Sequence, residues 1–223
     1  MPARPAKPSP GAPPKRHRRM SLEAREEQIV QGAIKFFSER GLDGQTRDLA
    51  KEIGITHPLL YHYFPTKQLL IQRVYQEVYL GRWKREWETW LDDTGSPFET
   101  RLNRFYQDYA KTVLTPEWVR ILIFSGLADG YISEQYMALL RDTLIPRLLR
   151  ETRRYLGASL RKKPTEREVE LIWGLHGGIF YLGIRQYIYG QAPQDDPQQV
   201  VQDRVAAYLV GARALFAGAT TGA

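Results

Sequence analysis

The chain has 223 residues, of which 43% are apolar, 26% charged and 12% aromatic, a balance that fits a globular protein with a sizeable core and excludes disorder throughout. It has no cysteine, which excludes a disulfide framework, a thiolate metal site and a cysteine nucleophile, and suits a reducing compartment. The net charge of +7 is local: residues 1–20 carry six basic groups (Arg4, Lys7, Lys15, Arg16, Arg18, Arg19) and no acid, while the other 203 residues, with 26 basic and 25 acidic groups, are almost neutral.

Residues 1–20 therefore read as a basic arm. Six of the 14 prolines lie between Met1 and Pro14, alternating with small residues, a composition predicted to stay extended and disordered. Arms of this charge meet phosphate on nucleic acid or anionic lipid. The positive start is not followed by the apolar stretch of a secretory signal. The most apolar later stretch, Trp173 to Ile184, falls short of the roughly 20 residues a membrane span needs. The expectation is a cytoplasmic protein with no membrane contact.

From Ser21 onward the apolar residues recur with helical period. Ser21 caps a first helix over Leu22–Arg40, striped by Ile29, Val30, Ala33, Ile34, Phe36 and Phe37 and ended by Gly41. Thr46 is predicted to cap a short second helix, Arg47 to Ile53, closed by Gly54. Thr56 caps a third, His57 to Tyr63, with Pro58 tolerated in its first turn and Phe64-Pro65 ending it. A fourth starts at Lys67, after Thr66, and runs to about Trp90, with Trp83, Trp87 and Trp90 on one face.

Ser96-Pro97-Phe98-Glu99 reads as a capping box opening a helix to about Leu114, and Thr115-Pro116-Glu117 repeats the device for a helix to about Ser125. The stretch from Tyr131 to Leu156 is helical and should kink or break near Pro146. Thr165 to Glu168 is a further capping box, starting a helix that ends by Gly190; Asp196-Pro197 starts the last, to about Ala217. No segment alternates with period two. The fold class is all-α.

The run Thr46 to Thr56 has the make-up of a helix-turn-helix, whose second helix enters the major groove. Ala50 is small where two helices cross, Leu49, Ile53 and Ile55 face inward, and Gly54 permits the left-handed turn. With Leu60-Tyr61-His62-Tyr63-Phe64-Pro65-Thr66-Lys67 following at the right distance, the stretch from Leu22 to Leu70 resembles the DNA-binding domain of TetR-family transcriptional regulators.

That resemblance implies a basic arm (1–20), a helix-turn-helix domain (21–66) and a helical effector-binding and dimerisation domain (67–218). It implies a double-stranded operator as partner, with Thr46, Tyr61, His62 and Lys67 holding the phosphate backbone. Base edges would be read by Thr56, His57, Leu59 and Arg47 near the start of the recognition helix, Leu59 suiting a thymine methyl and His57 a guanine acceptor. Tyr63 and Phe64 are better read as packing residues. Residues 21–67 hold six basic and seven acidic groups, so the missing positive charge is assigned to the arm.

Core packing is the ordinary use of an aromatic stripe, and the tryptophans fit it. The same aromatic surplus also allows an apolar effector cavity, for which the candidates are Trp83, Trp87, Phe105, Tyr109, Phe124, Trp173, His176 and Phe180. Gly174, Gly177, Gly178 and Gly183, then Ala206, Ala207, Gly211, Ala212 and Ala214, suggest close backbone approach. The resemblance assigns the last two helices to a homodimer interface, intramolecular packing being the alternative. Neither a metal-binding His pair nor a nucleophile elbow, phosphate loop or dinucleotide fingerprint occurs, so no catalytic residue, metal or cofactor is assigned. The expected function is a dimeric repressor of a palindromic operator, released by a small, largely apolar effector; the alternative is sequence-independent coating of nucleic acid or anionic surfaces by the arm.

Overall fold

The structure, a computed structural model, describes residues 20–128 and 130–217. The basic arm, apart from Met20, lies outside the described residues. Among those described, every regular element is helical.

The amino-terminal unit is built on α1 (Leu22–Arg40). Ser21 Oγ accepts from the Ala24 amide at 3.2 Å, and Gly41, at φ +81°, ends the helix. Its buried stripe of Ile29, Val30, Ala33, Phe36 and Phe37 meets Leu49 and Ala50 of α2 (Thr46–Glu52), Leu60 of α3 (His57–Tyr63) and Leu70 and Val74 of α4 (Lys67–Tyr75). Between α2 and α3 the chain turns on Gly54 at φ +72°, a backbone state a side chain resists; the Ile55 amide bonds Ala50 O at 2.9 Å across the turn. This is the expected helix-turn-helix.

Two helix starts differ from expectation. Gln45, not Thr46, is the N-cap of α2, and it makes no side-chain cap bond. Thr46 is the first helical residue, and its hydroxyl is drawn into contacts made by α3. The proposed box at Ser96 is absent: Pro97 occupies the N-cap, and the Ser96 hydroxyl donates to Asp93 at 2.9 Å.

The fourth helix also stops short of Trp90. After Tyr75 it widens into a π-helical turn, Gln76–Leu80, ends at Gly81, and restarts as α5 (Arg85–Asp92). A Cβ at Gly81 would lie 3.0 Å from Glu77 O, a tight contact that glycine avoids where the widened turn ends. Trp83 therefore falls in the short connection between the π turn and α5.

The body comprises α5, α6 (Phe98–Val113), α7 (Pro116–Leu127), α8 (Tyr131–Leu139), α9 (Ile145–Tyr155), α10 (Glu166–Tyr187) and α11 (Pro197–Ala217). A second π turn, Leu140–Leu144, separates α8 from α9 directly before Pro146, so the expected break is taken up by one widened turn. The box at Thr165 and Glu168 is present in both directions, and Thr115 Oγ1 caps α7. The core packs α6 (Leu102, Phe105, Tyr106, Tyr109) against α5, α9, α10 (Ile172, Ile179) and α11 (Val205, Ala212), with α7 (Trp118, Val119) packed on α10. α7 also rests on α1, and α8 on α4, joining body to reading unit.

Buried charges inside the body are paired. Arg101 donates to Leu91 O, to Ser96 O at 3.0 Å and to the fully buried Glu151 at 3.1 Å, tying the end of α5 to α9. Arg153 donates to both oxygens of Glu168, at 2.9 and 2.7 Å, and to the carbonyls of Ser159, Lys162 and Lys163. Removing one partner of such a pair costs about 3–5 kcal/mol, because a buried charge is then left alone.

Candidate nucleic-acid interface

α3 has one buried anchor, Leu60, and an opposite face that its own protein leaves open: Pro58, Tyr61 and His62 are exposed. Its start is fixed by Thr56, whose Oγ1 accepts from the Leu59 amide at 3.3 Å. Thr66 caps α4 in the same way, accepting from Leu69 at 3.1 Å, which sets Lys67 at the first turn of that helix. Caps of this kind contribute about 1 kcal/mol each.

Three of the predicted residues are brought together. Thr46 is buried, and its Oγ1 lies 3.1 Å from His57 Nε2 and 3.3 Å from the Tyr61 hydroxyl. The His57 and Tyr61 rings meet edge to face, with centroids 4.8 Å apart. The Thr46 hydroxyl, expected at a phosphate, thus makes its contacts within the protein. Arg47, Thr56 and His62 are exposed, and Leu59 and Lys67 half-buried. Phe64 is buried and Tyr63 packs against the core, as expected of packing residues.

Charge pairing sorts the cations. Arg40 is 3.5 Å from Glu52, and Arg73 bonds Glu77 at 2.8 Å with Glu26 and Glu27 close by. These partners raise the Arg73 pKa above its ordinary value, Glu77 contributing most. Arg25, Lys35, Arg47, Lys51 and Lys67 have no acidic partner among the described residues; of these, Arg47 and Lys51 lie on α2 and Lys67 opens α4, the helices that precede and follow α3. Arg47 and Lys67 were named from sequence. Lys51 was missed, an exposed residue whose only local signal is its place in the last turn of α2.

The candidate effector residues do not form one pocket. Trp87, Phe105 and Tyr109 are fully buried and pack edge to face or tilted, within 5.5–5.8 Å. Phe124 packs instead against Gly41 at the end of α1, where it joins the two units. Trp173 and Phe180 are half-buried and reach this core from α10, Trp173 beside His176 and Phe180 edge-on to Trp118. Trp83 lies edge-on to Trp87 and donates to Glu88. A cavity of about 390 Å³ lies nearby, lined by Ala110 and Leu114 of α6, Leu182 and Tyr187 of α10 and Val201 of α11, and none of the eight residues lines it.

Polar atoms do collect in the aromatic core. The Tyr109 hydroxyl hydrogen-bonds that of Tyr136 and lies 3.3 Å from His176 Nε2. Burial lowers the His176 pKa to about 4, so the ring is neutral, and it raises the pKa values of Tyr106, Tyr109 and Tyr136. His176 Nδ1, the Tyr106 hydroxyl and Trp118 Nε1 are buried without a hydrogen-bond partner. Tyr136 and Tyr106 were not among the candidates; their meeting with Tyr109 and His176 depends on packing between helices that no local motif announces.

Fold and site define the class first: a helix-turn-helix reading unit carried on an aromatic-cored helical body. The sequence pattern of the bacterial regulatory proteins, tetR family, matches residues 29–74. Tetracycline repressor protein class D of Escherichia coli is 30% identical over 96 residues, which is 40% of this chain and 44% of that protein. HTH-type transcriptional repressor KstR2 of Mycolicibacterium smegmatis is 30% identical over 87 residues, 39% of this chain and 42% of its own. The chain thus spans less than half the length of these curated relatives. Over the whole fold, a TetR-like transcriptional regulator from Rhodococcus sp. RHA1 superposes with a TM-score of 0.65 at 20% identity, covering 86% of this chain and all of that one. The regulator PfmR of Thermus thermophilus gives 0.60 at 20% identity, over 82% and 97%. Residues 29–74 are thus similar to the tetR-family pattern, and the helical fold as a whole is similar to that of TetR-like regulators. No helix of the described residues is long and apolar enough to cross a membrane.

Proposed function

We propose that the protein is a dimeric, effector-responsive transcriptional regulator that represses by occupying a palindromic operator. One observation carries this reading: α3 presents an open face, with Pro58, Tyr61 and His62 exposed, on a domain matched by the tetR-family pattern. Bases would be read from that face, while Lys67 and His62 meet phosphate. The arm adds the counterion release that a unit of net −1 charge lacks. Deleting residues 1–19 should flatten the fall of log K with log salt; an unchanged slope removes the arm from the mechanism.

Dimerisation through α10 and α11 is supported by their outer faces. A Cβ at Gly174 or Gly177 would meet nothing within 4 Å, so these mid-helix glycines answer to no contact in their own chain. Beside them Tyr181 is 47% and Val210 69% exposed. A second copy approaching by a two-fold axis would cover this surface and set two recognition helices about 34–36 Å apart or a multiple of it. Gly177→Trp should then yield a folded monomer in sedimentation, with operator affinity lost.

For release, the buried atoms of Tyr106, His176 and Trp118 that lack partners offer a largely apolar effector its hydrogen bonds once α6 and α10 part. An effector that prefers one orientation of the reading units lowers operator affinity by its difference in affinity for the two states, and α4 with its π turn is the connecting lever. Selecting bound duplexes from a random pool tests the whole proposal. Winners with inverted symmetry, held about 10³-fold or more tightly over unrelated duplex, support it. Featureless winners favour the coating alternative, which the arm's concentration of charge keeps in view.

A further inference from the structure

The cluster at the start of α3 has a consequence for base choice, and it rests on the DNA-reading proposal above. Thr46 Oγ1 sits between two ring-borne polar groups, His57 Nε2 at 3.1 Å and the Tyr61 hydroxyl at 3.3 Å. The hydroxyls of Thr46 and Tyr61 carry one proton each, and a neutral imidazole carries one proton on either nitrogen. Two arrangements satisfy all three groups. In the first, Tyr61 donates to Thr46 and Thr46 donates to Nε2; in the second, Nε2–H donates to Thr46 and Thr46 donates to the phenol oxygen.

Acid and base strengths select the first. A phenol is a far better proton donor than an aliphatic alcohol, and an imidazole nitrogen a better acceptor than a phenol oxygen. Running the chain from phenol through alcohol to imidazole matches the strongest donor to the alcohol and the strongest acceptor to the alcohol's proton. The hydrogen bond at one imidazole nitrogen determines which nitrogen holds the ring proton. With Nε2 accepting, the proton resides on Nδ1. That nitrogen has no partner among the described residues, is not among their buried unpaired atoms, and belongs to a half-buried ring at the first position of α3.

We infer that Thr46 and Tyr61 are positioning residues that hold His57 as an outward Nδ1–H donor and so give α3 a preference for guanine at one base pair. Guanine presents two major-groove acceptors, N7 and O6, whereas adenine replaces the second by an amino donor that would face the Nδ1 proton. The edge-to-face contact with Tyr61, at 88° between planes, adds a packing restraint on the ring's rotation. Thr46 thereby takes an orienting role, its own side chain largely covered by the unit.

The test uses the full chain and a duplex selected from the random pool. Each G·C pair is changed in turn to A·T, and each guanine in turn to 7-deazaguanine, which lacks N7. At one guanine the wild type should lose about tenfold in affinity, a single-contact share of the discrimination that base-edge hydrogen bonds supply. His57→Ala should erase the difference between guanine and its replacements at that pair and leave the other pairs as they were. Thr46→Val and Tyr61→Phe should shrink the same difference while the salt slope stays unchanged. A purely structural role would instead lower affinity for every duplex by a common factor in these two variants, and that result overturns the relay. Discrimination at every pair unchanged in His57→Ala overturns the inference but leaves sequence reading intact. A pool that yields no preferred duplex overturns both.

Discussion

The reading unit and the body handle buried polarity in opposite ways. Around α3 the Thr46, His57 and Tyr61 groups complete one another, and the ring nitrogen left over faces outward. In the body, the Tyr109–Tyr136–His176 contacts leave His176 Nδ1, the Tyr106 hydroxyl and Trp118 Nε1 buried and unanswered. A buried group without a partner costs about 1–3 kcal/mol. The first arrangement is therefore complete within itself, and the second holds a deficit, which under the proposed function an incoming effector would relieve.

Four measurements bear on this contrast. The largest effect is expected for Trp118→Ala, since the ring is fully buried between Tyr79, Tyr136 and Phe180: about 4 kcal/mol in denaturant unfolding. A loss under about 2 kcal/mol, well below the range for burying such a ring, would mean that the body's core is too loosely packed to hold a deficit at all.

Second is the acid response of His176. Its folded pKa of about 4 lies below the ordinary 6.5, so the unfolded chain binds the proton first as pH falls. Stability from this group is complete above pH 6.5 and is lost progressively towards pH 4, by roughly 3 kcal/mol. The unfolding free energy of wild type and His176→Gln, compared across that window, should converge at the acid end. Parallel curves would remove the buried histidine from the account.

Third, Gly54→Ala in the turn of the reading unit should cost about 1–2 kcal/mol, because φ is +72° while the added methyl has open space around it. A neutral result would show that the turn relaxes. The smallest effect is expected for Thr165→Ala, which removes one half of the α10 capping box for about 1 kcal/mol. Thermal unfolding reads both variants.

Helix positions and the reading unit were legible because their signals are local. Ser21, Thr56, Thr66, Thr115 and Thr165 accept from the backbone amides their spacing predicts. The misreadings share a cause. Thr46 has the make-up of a cap, but partners from α3 claim its hydroxyl, and Ser96 is claimed by Asp93. The break before Trp83 was announced by Gly81, which the helical period of the three tryptophans masked. Phe124 was counted among the effector-cavity candidates as part of the aromatic surplus, although it packs on the end of α1. The polar cluster of the aromatic core was the least legible part, since its atoms come from α6, α8 and α10 and nothing in sequence spacing says that Tyr109 meets Tyr136 and His176.

Arg153 carries a lesson for anyone re-engineering the chain. Surface connections are ordinarily where new chain ends are best tolerated. The connection between α9 and α10 is an exception, because its carbonyls at Ser159, Lys162 and Lys163 are ligands of a guanidinium that is only 6% exposed. Circular permutation there would unclasp the inner hub around which that loop is wound, and the damage would reach α10 through Glu168 before it touched anything at the surface.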